Sequence, residues 1–206
     1  MSNAATPRDP KTDHLLTPEN AALIVIDYQP TQIHSVGSAR ASDIINNIVL
    51  VAKTAKVFDL PIVLTTVNVA TTRNQDTLPP LREVLSDVES VDRTTMNSWE
   101  DPAFVAAVEQ TGRKKLIMCA LWTEVCLTFP ALDAMREGYE VYPVVDAIGG
   151  TSVIAHETAL RRVEQKGAQL ITIPELICEL QRDWARGETV REFNDLMFEA
   201  RAFVGM

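Results

Sequence analysis

The stretch AALIVIDYQ, residues 21–29, decides the fold class. Its first six residues, Ala21–Ile26, are all apolar, and the run ends at Asp27. A strand with apolar side chains on both alternating faces has to be covered on both sides, as in a parallel sheet between two layers of helices. Further short apolar runs have the same character, and we predict additional strands at 61–67, 116–121, 140–145 and 168–173.

Longer amphipathic segments alternate with these runs. We predict helices at 42–58, 102–110, 124–137, 153–165 and 175–185. Strands separated by helices of this length join through right-handed crossovers into a parallel sheet, so the predicted fold is α/β, with three layers in the order α/β/α. A last amphipathic helix at 188–203 either covers the core or docks on a neighbouring subunit.

Length and composition limit the number of domains. The chain has 206 residues, of which 46% are hydrophobic, which is enough for one sizeable core. We predict a mobile N-terminal tail at 1–18, which is polar and contains prolines, and a single domain at 19–206. The tail lacks the apolar segment of a signal peptide, and no apolar run approaches the ~20 residues of a membrane span. We therefore expect a cytoplasmic protein.

Charge and cysteine content exclude several classes of function. A formal net charge of -9 and a pI near 4.8 argue against nucleic acid and anionic membrane surfaces as partners, which leaves small molecules and proteins. The three cysteines form neither a disulfide framework nor a Cys-x-x-Cys metal site, which fits a reducing compartment. No glycine-rich phosphate loop opens a predicted helix, so a nucleotide cofactor is not expected.

Polar residues at the carboxyl ends of the predicted strands are the candidates for chemistry, because ligands of open parallel sheets bind there. Cys126 lies a few residues beyond the strand at 116–121, where the start of a helix lowers a thiol pKa and favours the thiolate. Asp27 ends the first strand, and a buried acid there has to be hydrogen-bonded, paired or partly neutralised. The alternatives are that Cys126 is a small core residue and that Asp27 caps the next loop.

Several segments together resemble the isochorismatase-like family of cysteine hydrolases. They are LIVIDYQ around Asp27, ALWTEVCLTFPALDA around Cys126, GYEVYPVVDAIGGTS, and a following helix that starts near His156. The resemblance covers roughly residues 20–185. An Asn-x-Trp segment at 97–99 and ELQRDWAR from Glu179 are similar to a bacterial branch of uncertain substrate. The family resemblance implies the isochorismatase-like, Rossmann-like hydrolase fold. It also implies a triad of Asp, Lys and Cys, of which Asp27 and Cys126 match two.

The family lysine has no counterpart in this chain. The matching stretch, SVDRTTMNSWED at 90–101, offers Arg93 instead. Arg93 can hold the thiolate and the Asp27 carboxylate in place and orient a carbonyl or carboxylate substrate, but its guanidinium stays charged and cannot shuttle a proton. Lys114 and Lys115 are not substitutes, because they precede a strand whose other end, roughly 20 Å away at ~3.3 Å per residue, carries the site.

The resemblance also implies an oxyanion hole formed by the backbone N–H groups of Trp122 and Cys126, with a cis peptide bond before Trp122. Trp122 can equally serve as a packing residue. We predict a substrate pocket that is lined by Asn97, Trp99, Phe129 and Glu124. Trp99 also lies at a predicted helix start, and Glu124 would raise the thiol pKa if it faced Cys126.

The resemblance implies metal-independent hydrolysis of a C–N amide-type bond in a small molecule, through a thioester on Cys126. Nicotinamidase-type relatives bind a metal with Asp and His, but residues 65–76 contain no histidine, so we expect no catalytic metal and no cofactor. His34 is expected to be a solvated loop residue. Relatives are commonly oligomeric, so we expect a homo-oligomer.

Two other functions remain open. Isochorismatase itself cleaves a vinyl ether, a reaction that does not require a thiolate. A binding or scaffold protein with a decayed site is suggested by Arg93 standing where the family has lysine.

Overall fold

The computed structural model describes residues 8–203 and contains one parallel sheet of five strands. The strands are β1 (Ala21–Ile26), β2 (Ile62–Val67), β3 (Ser90–Arg93), β4 (Lys115–Ala120) and β5 (Glu140–Pro143). Their order in the sheet is β3-β2-β1-β4-β5. All residues of the neighbouring β1 and β4 are buried, and apart from Lys115 at the start of β4 they are all apolar. The predicted α/β class with a parallel central sheet is confirmed.

Helices connect and cover the strands. They are α1 (Pro30–His34), α2 (Ala41–Val57), α3 (Pro79–Val84), α4 (Pro102–Gln110), α5 (Thr128–Arg136), α6 (Val153–Glu164), α7 (Ile173–Gln181) and α8 (Val190–Glu199). Two short turns complete the set, a 3₁₀ turn at Ser98–Glu100 and a π-helical turn at Thr123–Leu127. The starts of α4 and α6 are set by side-chain caps, since Asp101 accepts from the N–H groups of Ala103 and Phe104, and Ser152 accepts from that of Ala155.

One predicted strand was wrong, and one observed strand was missed. Residues 168–173 form only a single bridge, Val144 to Ile171, because the capping box of Thr172 and Glu175 starts α7 at Ile173. Strand β3 was missed, because its sequence SVDR is short, polar and half-buried at the edge of the sheet. The predicted helix at 124–137 is divided into the π-helical turn and α5.

The two ends of the described chain pack on the domain. The sequence predicts a mobile tail through residue 18, but Leu16 is fully buried and its N–H donates to Glu179 Oε2 at 2.6 Å. Lys115 Nζ donates to the carbonyl of His14 at 2.6 Å, which further ties residues 8–18 to the sheet. The rest of the predicted tail, residues 1–7, lies outside the described part of the chain.

Helix α8 covers the core. It packs against α2 and α7, and Phe193, Leu196 and Met197 are its buried side chains. None of the helices within residues 8–203 is long and apolar enough to cross a bilayer.

Candidate active site

An ion pair joins Asp27 and Arg93 at the carboxyl end of the sheet. Asp27 follows β1 and Arg93 ends β3, and the last residues of β2 lie between them. Arg93 Nη1 donates to Asp27 Oδ1 at 3.0 Å, and Nη2 donates to Oδ2 at 2.8 Å. Both side chains are almost completely buried, since that of Arg93 is 0% exposed and that of Asp27 is 1% exposed. The planar guanidinium therefore donates to both carboxylate oxygens and fixes the position of the Asp27 carboxylate.

The backbone at Asp27 is unusual. Its φ of 60° lies in the left-handed region, which aspartate tolerates better than most residues, and the N–H of Gln29 donates back to the Asp27 carbonyl at 2.8 Å. The chain thus turns sharply out of β1 directly at the acid. Strained backbone of this kind is concentrated at functional sites.

Cys126 lies in the π-helical turn between β4 and α5. The carbonyl of Trp122 accepts from the N–H of Leu127 at 3.3 Å, five residues later, whereas a regular α-helix would use the N–H of Cys126. The backbone N–H of Trp122 lowers the pKa of the Cys126 thiol, because it favours the charged sulfur. The turn therefore moves the helical hydrogen bonding past Cys126.

The charge of Asp27 acts on the thiol of Cys126, which places the two side chains near each other at the end of the sheet. Burial raises the pKa of Cys126, and the adjacent negative charge of Asp27 raises it further. Burial also raises the pKa of Asp27, although Arg93 acts in the opposite direction. The prediction of a resting thiolate is thus corrected, because a buried sulfur beside a carboxylate holds its proton more tightly than one at an open helix start.

Cys126 is buried, with 7% of the residue exposed to solvent. The Leu121–Trp122 peptide bond is cis, as the family resemblance predicted. The half-buried indole of Trp122 donates to the carbonyl of Gln32 at 3.0 Å and to Ser35 Oγ at 3.1 Å. The end of α1 thereby holds the Trp122 side chain in place.

Glu124 accepts its hydrogen bonds from Thr151. Its Oε1 accepts from the backbone N–H of Thr151 at 2.9 Å and from Thr151 Oγ1 at 2.6 Å. Its Oε2 is buried and has no partner within the described residues. A side chain at position 150 would lie 2.5 Å from Oε2, so the close approach of this loop requires Gly150.

His156 on α6 forms a hydrogen bond with Thr123, which precedes Glu124. Its Nδ1 shares a hydrogen bond with Thr123 Oγ1 at 2.8 Å, and the N–H of Thr123 donates to the carbonyl of Gly149 at 2.9 Å. Burial lowers the pKa of His156, so the ring favours the neutral form. The sequence marked His156 only as part of the family resemblance and did not indicate this contact.

The predicted pocket residues Asn97 and Trp99 have structural contacts. Asn97 Oδ1 accepts from the N–H of Trp99 at 3.1 Å, and Asn97 Nδ2 donates to Asp133 at 2.8 Å. The Trp99 ring packs edge-on against Phe104 and against Tyr139, which precedes β5 at the other end of the strands from Asp27. Phe129 is half-buried in the first turn of α5. The described contacts bring neither Asn97 nor Trp99 to the sulfur, and their pocket role stays a prediction.

The buried Gln29 was missed by sequence reasoning. Its Nε2 donates to the carbonyls of Val67 at 3.1 Å and Gln75 at 2.7 Å, and its Oε1 accepts from the N–H of Val67 at 2.9 Å. Gln29 therefore holds both ends of the loop at 68–75 beside Asp27. Its place two residues after Asp27 in the motif was the available signal. His34, at the end of α1, is exposed as expected.

The isochorismatase domain family matches residues 21–175 of this chain. The chain belongs to the isochorismatase family. "Probable hydrolase YcaC" of Escherichia coli strain K12 is 38% identical over 170 residues, which cover 82% of this chain and 81% of that protein. The resemblance inferred from the Asp27 and Cys126 segments is thus confirmed, and the chain is a hydrolase of this family.

Two solved structures are similar to this isochorismatase-family chain. The Escherichia coli YcaC protein, described as an octameric hydrolase of unknown specificity, has 33% sequence identity and a TM-score of 0.81, with 92% of this chain and 98% of that chain covered. YcaC from Pseudomonas aeruginosa, with hexane-2,5-diol and covalent acrylamide, has 30% identity, a TM-score of 0.81 and the same coverage.

Proposed function

We propose that the chain is a metal-independent cysteine hydrolase that cleaves a C–N amide-type bond of a small molecule. The observation that carries this proposal is that Arg93 holds the Asp27 carboxylate with two hydrogen bonds at the same end of the sheet as Cys126, whose thiol lies within reach of the Asp27 charge. A nucleophile, a base in hydrogen-bonding reach and a third group that orients the base are the elements of covalent catalysis.

The reaction starts from the neutral thiol. Asp27 accepts the thiol proton while Cys126 Sγ forms a bond to the substrate carbonyl carbon, and the carbonyl oxygen becomes an oxyanion. The backbone N–H groups of Trp122 and Cys126 are proposed to stabilise that oxyanion. The C–N bond then breaks, Asp27 returns the proton to the departing amine, and a thioester remains. Asp27 finally takes a proton from water, which attacks the thioester and releases the acid and the thiol.

Arg93 is proposed to act as a fixed positive charge. Its guanidinium keeps its proton throughout, so the proton that leaves Cys126 stays on Asp27 until the amine departs. Arg93 offsets the charge of the buried carboxylate and sets its orientation, which removes the need for the lysine of the family pattern.

The relatives support parts of this proposal. The Pseudomonas aeruginosa YcaC structure holds a covalent acrylamide, a reagent that alkylates nucleophiles such as thiols through its alkene, which supports a reactive nucleophile rather than a particular scissile bond. By likeness to the octameric Escherichia coli protein, we propose that this chain forms a homo-oligomer. A reducing compartment such as the cytoplasm is proposed because Cys126 has to remain a free thiol, and Cys119 and Cys178 are free as well.

The experiment is a comparison of variants on a panel of small amides, with release of ammonia or amine as the measurement. Cys126→Ala should abolish turnover, whereas Cys178→Ala, which alters an exposed cysteine on α7, should leave it unchanged. Mass spectrometry of the quenched wild-type reaction should show an acyl adduct on Cys126. Turnover that survives in Cys126→Ala would reject the covalent scheme and favour the vinyl ether chemistry of isochorismatase itself. Absence of turnover together with inert Cys126 would favour a binding protein.

A further inference from the structure

The charges nearest to the sulfur cancel. Asp27 contributes a negative charge and Arg93 a positive one, and these two residues exert the charge effects on the Cys126 thiol. Both Nη groups of Arg93 are occupied by the two oxygens of Asp27. The Nε–H of Arg93 is buried and has no partner within the described residues, but the net charge of the pair is zero. A substrate that approaches Cys126 therefore meets an ion pair without surplus positive charge.

The remaining charges at this edge of the sheet do not supply a buried cation. Asp92, next to Arg93, adds negative charge to the surroundings of Asp27, and Glu124 lies two residues before Cys126. The loops that follow β1 and β2 carry Arg40 and Arg73, which are exposed to solvent. The chain as a whole has a formal charge of -9. The site is therefore neutral to negative.

A carboxylate substrate would lose its hydration at this site without gaining a partner. Of the Arg93 nitrogens, only Nε lacks a partner among residues 8–203, so a carboxylate that bound Arg93 with both oxygens would have to displace Asp27, and a buried aspartate without its counter-charge is strongly unfavourable. A neutral carbonyl compound needs only hydrogen-bond donors for its oxygen, and backbone N–H groups supply these. From this geometry we infer, on the basis of the function proposed above, that the site selects uncharged amides and rejects substrates that carry a carboxylate close to the scissile bond.

Iodoacetamide and iodoacetate test this inference, because they are similar in size and differ in charge. The measured quantity is the ratio of their alkylation rates at Cys126, determined by peptide mass spectrometry at pH 7.5 and divided by the same ratio for N-acetylcysteine. We expect a preference for iodoacetamide of about tenfold or more, which corresponds to ~1.4 kcal/mol. The exposed Cys178 of the same molecules is the internal control and should give a ratio close to that of N-acetylcysteine.

The possible failures are distinguishable. A normalised ratio near one, or a preference for iodoacetate, would overturn the charge selection and leave Cys126 as the nucleophile. If neither reagent modifies Cys126 under conditions in which Cys178 reacts, the nucleophile and the charge selection both fail. A second pair, butyramide and succinamate, checks the result in turnover, since only the second carries a carboxylate, and faster hydrolysis of succinamate would contradict the inference.

Discussion

The guanidinium of Arg93 and the carboxylate of Asp27 meet in two hydrogen bonds, of 3.0 and 2.8 Å, across the end of strand β2. The first residue belongs to an edge strand and the second follows a central one. The pair therefore connects the outer part of the sheet to the residue that we propose as the base.

Replacement of Arg93 should destabilise the fold in proportion to the charge that is lost. Arg93→Met should lower the free energy of unfolding by about 3–5 kcal/mol, because Asp27 stays buried without a counter-charge. Arg93→Lys should cost less, since the charge remains and only the two-bond geometry is lost. The measurement is urea unfolding followed by circular dichroism. Arg136→Met, which removes an exposed arginine paired with Asp133, is the control and should change stability by less than ~1 kcal/mol. Equal effects at both positions would reject the argument.

The pH dependence of Cys126 alkylation should differ from that of a free thiol. The rate for a free thiol rises tenfold per pH unit below its pKa, because only the thiolate reacts. At Cys126 the proton passes to Asp27, so the iodoacetamide rate should become independent of pH once Asp27 is ionised. Because burial raises the pKa of Asp27, the rate should fall with acid at a higher pH than the usual carboxyl value of 3.8.

Asp27→Asn should restore the ordinary tenfold rise per pH unit and lower the rate near neutrality, since burial still raises the pKa of the Cys126 thiol. A wild-type rate that climbs tenfold per unit from pH 6 to pH 9 would show that Asp27 does not act as the base.

Gln29 should control the mobility of the neighbouring loop. Gln29→Ala removes three hydrogen bonds and should cost at least about 2 kcal/mol of stability, because each buried group left unpaired costs about 1–3 kcal/mol. Amide hydrogen exchange should become faster at 67–75. The matched control is Gln75→Ala, which keeps the backbone carbonyl that Gln29 contacts. Unchanged exchange in Gln29→Ala would mean that other contacts hold the loop.

His156 is expected to be a positioning residue. His156→Ala removes the hydrogen bond to Thr123 and should cost about 1 kcal/mol of stability. Because Thr123 directly follows Trp122, the alkylation rate of Cys126 should also fall, while the rate at Cys178 stays constant. Glu157→Ala, one residue later and exposed, is the control for the helix. Loss of stability with an unchanged rate at Cys126 would limit His156 to a structural role.

The strengths and failures of sequence reasoning here have physical causes. Strand β1 was predicted at its observed bounds because its apolar residues face helices on both sides. Strand β3 was missed because an edge strand needs little apolar surface, although it carries Arg93. The position of Asp27 followed from the end-of-strand rule, whereas Arg93 as its partner followed only from the resemblance. The protonation state of Cys126 could not be predicted from the sequence. A thiol pKa depends on burial and on the distance to a carboxylate, and a local sequence motif determines neither.

Because Arg93 lies on the edge strand β3, we expect local opening of this strand to inactivate the protein before the whole domain unfolds. This strand has four residues and forms its ladder with β2 alone, whereas β1 and β4 are enclosed on both sides. Short peripheral segments open at a lower free energy than the interior of a domain. Brief fraying at this margin would leave Asp27 without its counter-charge while most of the molecule stays native. Mild denaturant should therefore inactivate the protein reversibly before any loss of global structure is measurable.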